Sequence, residues 1–502
     1  MLEFQNVSIE HRETGRPLLR DFSFTLRPGD RAALIGEEGN GKSTLLKLVC
    51  EPASIQSYCR VSGHIDLHGG LPGYLPQRPD EALLQTPVYE LFPDGPDYNL
   101  MPQMGIPAEL PFSERPLGRL SGGERIKLLL LRTLMARPDF LLLDEPTNDI
   151  DIRTLDWLER FILASKAPVL YVSHDETLLE RTANVILHFE QVRRKTAAQH
   201  TVERMDYRSY MERRREALLK QEQVAAKQRA DQRAKEERWR QVFQRVEHEQ
   251  NVITRANPAG GRLLKKKMHT VKSQQKRMER EKEDFLDFPD PEEAVELFFD
   301  QGLRFPNGKE AVSFYLPRLQ AGGRLLAEHV RLTLTGPAHA AIVGDNGTGK
   351  TTLLREIWGS LQGRTDIRAG YMPQDYLALL DAEKTPVETL WDGGDRAALT
   401  LARTRLGSMK FTADEMEQPV HALSGGQQAK LCLLKLLLGG CNVLLLDEPT
   451  RNLSPLSGPV LREALRNFGG AFLCVTHDRK LLSEVCTQVY TLTEQGLERR
   501  EM

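Results

Sequence analysis

One set of short motifs occurs twice in this chain of 502 residues, and that repeat limits the folds the chain can adopt. The sequences LSGG and LLLDEPT and a histidine–aspartate pair all recur at a spacing of 303 residues, as seen at Ser121 and Ser424, Asp144 and Asp447, and His174 and His477. A constant spacing predicts two copies of one domain. We therefore expect repeated domains at residues 1–200 and 291–502, with an unrelated segment at 201–290.

Each copy mixes short apolar runs with helical patterns. RAALIG and HAAIVG are predicted strands that end at a glycine-rich loop. FLLLDE and VLLLDE are continuous apolar runs, which are typical of strands buried on both faces of a sheet. Strand, glycine loop, helix and strand in this order predict an α/β fold class.

The glycine-rich loops, GEEGNGKST and GDNGTGKTT, fit the P-loop pattern. Such loops turn backbone N–H groups towards phosphate oxygens, and the helix that follows adds its positive N-terminal end. Lys42 and Lys350 are expected to reach the β- and γ-phosphates, and Ser43 and Thr351 to ligate Mg²⁺. The predicted phosphate-binding residues are Gly36, Glu37, Glu38, Gly39, Asn40, Gly41, Lys42, Ser43 and Thr44, and Gly344, Asp345, Asn346, Gly347, Thr348, Gly349, Lys350, Thr351 and Thr352.

An acid pair closes a buried strand in each copy. Asp144 and Asp447 can face the Mg²⁺ shell from the strand ends. Glu145 and Glu448 follow directly and can polarise a water for attack on the γ-phosphate. An acid pair here could also be a helix cap, but the P-loop upstream favours hydrolysis. The predicted cofactors are ATP and Mg²⁺.

The LSGG signature, with a glutamine after the P-loop and a histidine after the acid pair, resembles the ATP-binding cassette ATPases. In that family two cassettes pair head to tail, and the signature of each closes on the ATP held by the other. The resemblance implies metal-shell roles for Gln77 and Gln374 and catalytic roles for His174 and His477. It also implies that Ser424, Gly425 and Gly426 face the first P-loop, and that Ser121, Gly122 and Gly123 face the second.

Two departures from that family pattern bear on the expected sites. The aromatic residue that usually stacks on adenine is replaced by His11 in the first copy and has no clear counterpart in the second. The first copy reads DEPTNDID and the second DEPTRNLS, so Asp151 has Ser454 as its counterpart. We expect two competent sites with unequal rates.

The middle segment has a helix-forming composition rich in Glu, Gln, Arg, Lys and Ala. It predicts one helix at 208–251, a break at the sequence NPAGG, and a second helix from about Leu263 to Glu283. The second helix carries apolar or neutral residues at coiled-coil spacing, Leu264, Met268, Val271, Gln275 and Met278. The first helix is expected to pack through a narrow face of Ala226, Ala230, Ala234, Val242 and Val246, which Trp239 and Phe243 widen.

Positive charge concentrates around the break. Between Val252 and Arg280 there are nine Lys or Arg residues and one acid, Glu279, in a chain of net charge −2. Most charge runs are simply solvated, but a one-signed cluster at one end of a hairpin suits a phosphate backbone. Few aromatics lie there, so structured RNA is a better match than single strands. The predicted RNA-contacting residues are Arg255, Arg262, Lys265, Lys266, Lys267 and Lys272.

Two cassettes joined by a charged helical hairpin, with no membrane domain, resemble the ABC-F family. In that family the hairpin enters the ribosome near the exit-site and peptidyl-transfer tRNAs, ATP binding holds the protein there, and hydrolysis releases it. The resemblance implies a ribosomal partner, with rRNA and tRNA contacts. Some members tune translation and others protect ribosomes from antibiotics, and DEPTRNLSP is closer to the latter. A monomer with paired cassettes is expected.

The compartment is expected to be the cytoplasm. No run of eighteen apolar residues occurs, the N-terminal sequence does not resemble a signal peptide, and the six cysteines show no metal-binding spacing. Three other functions agree less well with the sequence. A membrane importer subunit would lack the charged hairpin, a chromosome or DNA-repair ATPase would carry its coiled coil inside one cassette, and a non-enzymatic RNA scaffold would not need Glu145 and Glu448.

Overall fold

The computed structural model describes residues 1–192, 197–252, 258–283, 305–391 and 393–500. The chain divides into two units: Met1–Tyr207 with Glu293–Met502 form one, and Arg208–Glu292 form the other. The predicted boundaries, after residues 200 and 290, fall a few residues before these. The first unit contains both repeated domains, which we call the N-terminal and C-terminal domains.

The N-terminal domain begins with an antiparallel hairpin and continues as alternating strands and helices. Its elements are β1 (Leu2–His11), β2 (Pro17–Leu26), β3 (Arg31–Gly36), α1 (Lys42–Cys50), α2 (Pro52–Tyr58), β4 (Cys59–Asp66), β5 (Pro72–Leu75), α3 (Glu81–Gln85), α4 (Leu100–Met104), α5 (Gly122–Met135), β6 (Phe140–Asp144), α6 (Ile152–Ala164), β7 (Val169–Val172), α7 (Glu176–Thr182), β8 (Val185–Val192) and β9 (Ala197–Glu203), with 3₁₀ turns at Val88–Leu91, Leu110–Phe112 and Leu117–Arg119.

Two helices follow and belong to the second unit, α8 (Tyr207–Val252) and α9 (Pro258–Glu283). The C-terminal domain then repeats the plan of the first. Its elements are β10 (Glu310–Ala321), β11 (Arg324–Thr335), β12 (His339–Val343), α10 (Lys350–Leu361), β13 (Ala369–Met372), α11 (Pro386–Leu390), α12 (Arg396–Ser408), α13 (Ala413–Glu417), α14 (Gly425–Leu438), β14 (Val443–Asp447), α15 (Gly458–Arg466), β15 (Ala471–Val475), α16 (Arg479–Glu484), β16 (Gln488–Thr493) and β17 (Gly496–Arg500), with 3₁₀ turns at Tyr376–Ala378 and Val420–Ala422.

Both domains contain the same six-stranded sheet, which confirms the predicted α/β fold class. The strand order is β5-β6-β7-β3-β8-β9 in one and β13-β14-β15-β12-β16-β17 in the other. All neighbours are parallel except the last pair of each sheet. Every residue of β6 and β14 is buried, as expected for strands covered on both faces. A second, antiparallel sheet packs beside each, in the order β2-β1-β4 and as the hairpin β10-β11.

This strand order determines where the motifs meet. β6 lies beside β7, and β7 lies beside β3, so the carboxyl ends of these three strands are adjacent. The P-loop follows β3, the acid pair follows β6, and His174 follows β7. Ligands of open α/β sheets bind at this edge. Among the residues described, every helix is too short or too polar to cross a bilayer.

The two helices of the second unit pack against each other, but their start and contact face differ from the prediction. α9 begins at Pro258 rather than near Leu263. Proline has no N–H to lose in a first turn and its fixed φ suits a helix start, so Pro258 and the residues after it form the first turn of α9, whereas α8 ends at Val252, one residue after the predicted end.

The predicted contact face of α8 is correct for Val246, Trp239 and Phe243, which are at least partly covered, but wrong for its other four positions. Ala226, Ala230 and Ala234 are exposed and Val242 is 46% exposed, and of the predicted set only Val246 is buried. The covered positions follow a heptad, Ala225, Gln232, Trp239 and Val246, with Phe243 partly buried. The Trp239 indole N–H donates to the Val271 carbonyl of α9 at 2.8 Å. The aromatic pair therefore selects the face, because Trp and Phe cover more apolar area than Ala.

On α9 the covered residues match the prediction where they are described. Leu264 and Val271 are buried, and Met268 is partly buried. The side chains of Gln275 and Met278 lie outside the described part of the chain. The exposed side of the same helix carries the lysines considered below.

Candidate nucleotide-binding sites

The P-loop of the N-terminal domain is held in the shape that phosphate binding needs. Gly36 has φ 145°, and a Cβ there would meet the Phe189 carbonyl, so only glycine fits. Lys42 opens α1, and its ammonium donates to the Gly36 and Glu37 carbonyls at 2.7 and 2.8 Å. Burial lowers the pKa of Lys42 below its usual range. The lysine thus lies folded over its own loop, at the place where phosphate oxygens would replace carbonyls as acceptors.

The C-terminal P-loop repeats this arrangement. Lys350 opens α10, and its ammonium donates to the Gly344 and Asp345 carbonyls at 2.8 Å each. Burial also lowers its pKa. Gly347 and Gly349 have φ of 79° and 95°, as Gly39 and Gly41 do at 73° and 83°. Two loops of matching conformation, Gly36–Thr44 and Gly344–Thr352, therefore precede the two helices.

A hydroxyl and a carboxylate meet beside each loop. The Ser43 hydroxyl donates to Asp144 Oδ1 at 2.9 Å, and the Thr351 hydroxyl to Asp447 Oδ1 at 3.3 Å. The second carboxylate oxygen of each aspartate is buried without a hydrogen-bond partner. Burial raises the pKa of Asp144 to about 6. Buried carboxylate oxygens left without donors suit a hard cation, so these residues fit Mg²⁺.

Glu145 is the centre of a hydrogen-bond cluster in the N-terminal domain. It accepts from Gln77 Nε2 at 2.9 Å and from Asn148 Nδ2 at 2.6 Å, and lies 2.9 Å from His174 Nε2. Although burial opposes the charge, His174, Lys42 and the Asn148 amide lower the pKa of Glu145 to about 2. Its φ of 47° is rare outside glycine. A strained, ionised carboxylate held by three side chains is typical of a functional position.

Glu448 holds the same backbone conformation, with φ 52°, but has fewer donors. His477 Nε2 lies 3.7 Å away, and the His477 N–H donates at 3.4 Å. Burial raises the pKa of Glu448 to about 8 and lowers that of His477 to about 4. One donor is missing because Arg451 occupies the position that corresponds to Asn148 of the first domain. Arg451 pairs with Asp149 at 2.8 Å. Gln374 lines the adjacent cavity.

The signature of the C-terminal domain contacts the P-loop of the N-terminal domain. The Gly426 N–H donates to Glu38 Oε2 at 2.7 Å, and Lys410 pairs with Glu37 at 3.0 Å. Ser424 caps α14 through a capping box, so the first turn of that helix directs N–H groups towards this loop. A cavity of about 290 Å³ lies between them, lined by both sides of the contact.

The opposite pairing runs through Asp149. Asn346 in the second P-loop donates to the Asp149 carbonyl at 2.6 Å, and Gly122 of the first signature lies against the same carbonyl. Ser121 caps α5 with a capping box as Ser424 does in α14, and Gly123 is buried in its first turn. A cavity of about 610 Å³ joins the second P-loop, Glu448, His477 and the Asn148–Ile150 segment of the other domain.

Sequence reasoning missed several residues that border these cavities. Asp149 and its counterpart Asn452 border the signatures, and Ala321, Arg324 and Leu326 line the larger cavity from the β10–β11 hairpin. The 303-residue spacing could have singled out Asp149 and Asn452. The hairpin residues carry no such signal, because none is the aromatic residue expected near adenine.

The predicted RNA-contacting residues belong to the other unit. Lys265, Lys266, Lys267 and Lys272 are all exposed on α9. Arg262 lies in the same helix, with its side chain outside the description, and Arg255 lies outside the described residues.

The comparisons with known proteins agree with this architecture. The family described as "ABC transporter" matches residues 19–148 and 327–451, which together exceed half of the chain. The chain belongs to the ATP-binding cassette family. The two matched cassettes, and relatives that align with nearly the whole chain, confirm the ABC-F resemblance recognised from the sequence.

Relatives align with nearly the whole chain. YdiF of Bacillus subtilis (strain 168) is 29% identical over 96% of this chain and 78% of its own length. The energy-dependent translational throttle protein EttA of Haemophilus influenzae is 28% identical over 96% of this chain and 90% of its own. The archaeal ribosome recycling factor aABCE1, solved with a ribosomal stalk protein, superposes with a TM-score of 0.58 at 17% identity, covering 98% of this chain and 89% of that one. This last likeness shows a shared fold.

Proposed function

We propose that this cassette protein is a cytoplasmic ATPase that acts on the ribosome as a monomer. ATP closes its two cassettes on a pair of shared sites, and the α8–α9 hairpin carries the RNA-contacting surface. The proposal rests most on one observation, the contact between Gly426 of one signature and Glu38 of the other cassette's P-loop. That contact has the head-to-tail sense in which one ATP can touch both cassettes.

The first proposed site binds the triphosphate through Gly36–Thr44 and the Lys42 ammonium, with Ser424, Gly425 and Gly426 closing from the other side. Ser43, Gln77 and Asp144 would hold Mg²⁺, which neutralises phosphate charge when bound. Glu145, kept ionised and aimed by Gln77, Asn148 and His174, accepts the proton of the attacking water.

The second proposed site uses the same parts in other residues. Gly344–Thr352 binds phosphate, Thr351, Gln374 and Asp447 would hold Mg²⁺, Glu448 and His477 serve hydrolysis, and Ser121, Gly122 and Gly123 close the site. Because Glu448 has fewer donors, we propose that the second site hydrolyses more slowly.

The ribosomal partner is supported by relatives and by charge. EttA is named for throttling translation, and it aligns with 96% of this chain. Lys265, Lys266, Lys267 and Lys272 form an exposed positive surface on α9, to which Arg255 and Arg262 belong in sequence. Such a surface attracts phosphate backbones of rRNA and tRNA. We propose that ATP-driven closure positions it near the tRNA exit and peptidyl-transferase region.

The experiment is a ribosome pelleting assay on Glu145→Gln combined with Glu448→Gln, with and without ATP. The variant should bind ATP, remain closed and sediment with ribosomes only when ATP is present. Lys42→Ala combined with Lys350→Ala is the matched control, since it should stay free in either condition. If the glutamine variant remains in the supernatant with ATP, the proposal fails. Imaging the pelleted complex, followed by drug-susceptibility tests on the unmutated protein, would separate translation control from antibiotic protection.

A further inference from the structure

A second set of contacts joins the cassettes away from the P-loops, between α6 and α7 of one and α15 and α16 of the other. The Arg462 guanidinium donates two hydrogen bonds to the Glu176 carboxylate, at 2.6 and 3.1 Å. Both side chains are buried, with 4% and 9% exposed. Although burial opposes the charge, Glu176 raises the pKa of Arg462 above its usual range. Such a buried pair contributes little if replaced as a whole, but is costly to break by changing one member.

A second cross-cassette ion pair lies beside it. Arg479 Nη1 lies 2.6 Å from Glu159 Oε1, and the Glu159 side chain is only 7% exposed. The other charges that face this region follow the same polarity: Arg479 also contacts Asp156 and Asp175, and Lys480 contacts Glu176 and Glu180. At each of these contacts the N-terminal cassette supplies the acid and the C-terminal cassette the base.

The two main pairs involve equivalent positions of the repeat. Applying the 303-residue spacing, Glu159 corresponds to Arg462 and Glu176 to Arg479. The neighbouring core residues support this alignment, because Leu158 and Leu461 are both buried, and Leu178 and Leu481 are too. The contact Glu159–Arg479 is therefore the counterpart of Arg462–Glu176, with the charges exchanged.

A third equivalent position is inverted in the same way. Arg181 pairs with Glu159 inside the N-terminal cassette at 2.9 Å. Its counterpart Glu484 pairs with Arg462 inside the C-terminal cassette at 3.0 Å. Each cassette thus carries a triplet of charges, Glu159–Glu176–Arg181 in the N-terminal cassette and Arg462–Arg479–Glu484 in the C-terminal cassette. All three charges have opposite signs in the two cassettes, so the ion pair inside each cassette is kept.

The exchanged charges favour some pairings of cassettes and disfavour others. A symmetric pair of two N-terminal cassettes would set Glu159 against Glu176 twice, and two C-terminal cassettes would set Arg462 against Arg479 twice. Like charges brought together under burial are strongly unfavourable. Unlike cassettes instead form two attractive pairs. Specific interfaces commonly use such repulsion to exclude wrong partners.

We propose that the inverted charge triplets specify the pairing of the N-terminal cassette with the C-terminal cassette and exclude pairing of like cassettes. The surface α6–α7 is an interaction surface whose partner is the α15–α16 surface carrying the opposite triplet, normally in the same chain. This assignment does not depend on nucleotide or on the ribosome, so its test can fail while the proposed function stands, and the reverse.

The test exchanges whole triplets in the full chain. Variant one carries Glu159→Arg, Glu176→Arg and Arg181→Glu, which makes both triplets of the C-terminal type. Variant two carries Arg462→Glu, Arg479→Glu and Glu484→Arg, which makes both of the N-terminal type. Each should lower the Tm by about 5–10 °C. The six-fold exchange should recover only part of that loss, because Asp156 and Asp175 would then face the acid introduced at position 479, and Lys480 would keep Glu180 but face the base introduced at position 176.

Mixing variants one and two distinguishes pairing from mere damage. Each variant alone should sediment as a monomer of 56.9 kDa, because its own cassettes repel. An equimolar mixture should form a one-to-one dimer by analytical ultracentrifugation without nucleotide, since each cassette then finds an opposite triplet. A mixture that stays monomeric, a six-fold exchange no more stable than either triple variant, or triple variants with an unchanged Tm would each overturn the proposal.

Discussion

Glu38 of the first P-loop accepts a hydrogen bond of 2.7 Å from the backbone N–H of Gly426, the third residue of the opposite signature sequence SGG counted from Ser424. That N–H lies in the first turn of α14, where a helix favours negative charge. A γ-phosphate approaching from the first P-loop would need the same donor. We therefore expect Glu38 to compete with the nucleotide for the N-terminal end of this helix.

Glu38→Asn should strengthen ATP binding at the first site, because asparagine removes the competing charge and is the residue that the second P-loop carries at Asn346. We expect a Kd about tenfold lower, or about 1.4 kcal/mol. The measurement is nucleotide titration in a Lys350→Ala background, which silences the second site.

The reciprocal change is the control for this prediction. Asn346→Glu, measured in a Lys42→Ala background, should weaken ATP binding at the second site by a similar factor. An unchanged or weaker affinity in Glu38→Asn would show that the carboxylate does not compete with phosphate.

The proposed difference in hydrolysis rate between the two sites should depend on the residue beside each proposed catalytic glutamate. Arg451→Asn gives Glu448 the amide donor that Asn148 provides to Glu145 at 2.6 Å. We expect a rise of about threefold in the turnover of the second site, because the amide orients the carboxylate and favours its ionised form, an effect that outweighs the loss of the Arg451 charge, which also lowers the pKa of Glu448. The rate is measured as phosphate release in a Lys42→Ala background.

Asn148→Arg in a Lys350→Ala background tests the same idea in reverse and should slow the first site. Arg451 also pairs with Asp149, so Arg451→Lys serves as a control that keeps the charge without supplying an amide. Equal rates for Arg451→Asn and Arg451→Lys would contradict the role given to the amide.

The hairpin should depend on Trp239 far more than on its exposed neighbours. Trp239→Ala removes the aromatic contact with Phe243 and the bond to the Val271 carbonyl, and should destabilise the packed helices by about 3 kcal/mol. Trp239→Phe, which removes only the donor, should cost about 1 kcal/mol. Hydrogen exchange of peptides from α8 and α9 measures both.

Val242→Ala is the matched control on the same turn, because Val242 is 46% exposed and lies off the contact face. Its effect should stay within about 0.5 kcal/mol. Faster exchange in Val242→Ala than in Trp239→Ala would restore the face expected from the sequence.

The sequence predicts the parts of the fold whose motifs have a fixed structural requirement. Phosphate binding requires P-loops, acid pairs and signatures to lie at the ends of strands and the starts of helices. The strands β3, β6 and β7 accordingly occur where their sequences predict them. The face of α8 could not be read in the same way. Alanines occur at several phases of a long charged helix, and only the burial of each side chain in the folded chain shows that Ala225 rather than Ala226 is covered.

The contacts between the cassettes could not be predicted by considering the sequence of either copy alone. Glu176 and Arg462 are ordinary helix-surface residues until the two cassettes are brought together. Comparing the copies at the 303-residue spacing does reveal the exchange of charge, but not that the positions meet. Contact between distant segments depends on the tertiary arrangement, which local sequence patterns do not specify.

The exposed lysines of α9 should control ribosome affinity without controlling hydrolysis. Replacing Lys265, Lys266 and Lys267 with Glu reverses the charge of the surface while leaving Leu264 and Val271 buried in the helix contact. Affinity in the pelleting assay should fall by at least about tenfold, and its dependence on salt should become shallower by about two to three phosphate contacts. Basal ATPase should remain near that of the unmutated chain, since these residues lie outside both sites.

The matched control is a triple variant that makes the same charge change at exposed cassette positions, Lys166→Glu, Lys384→Glu and Arg396→Glu. Equal losses in the two triple variants would mean that net charge alone governs binding, and an unchanged, salt-insensitive affinity in the α9 variant would place the RNA contacts elsewhere.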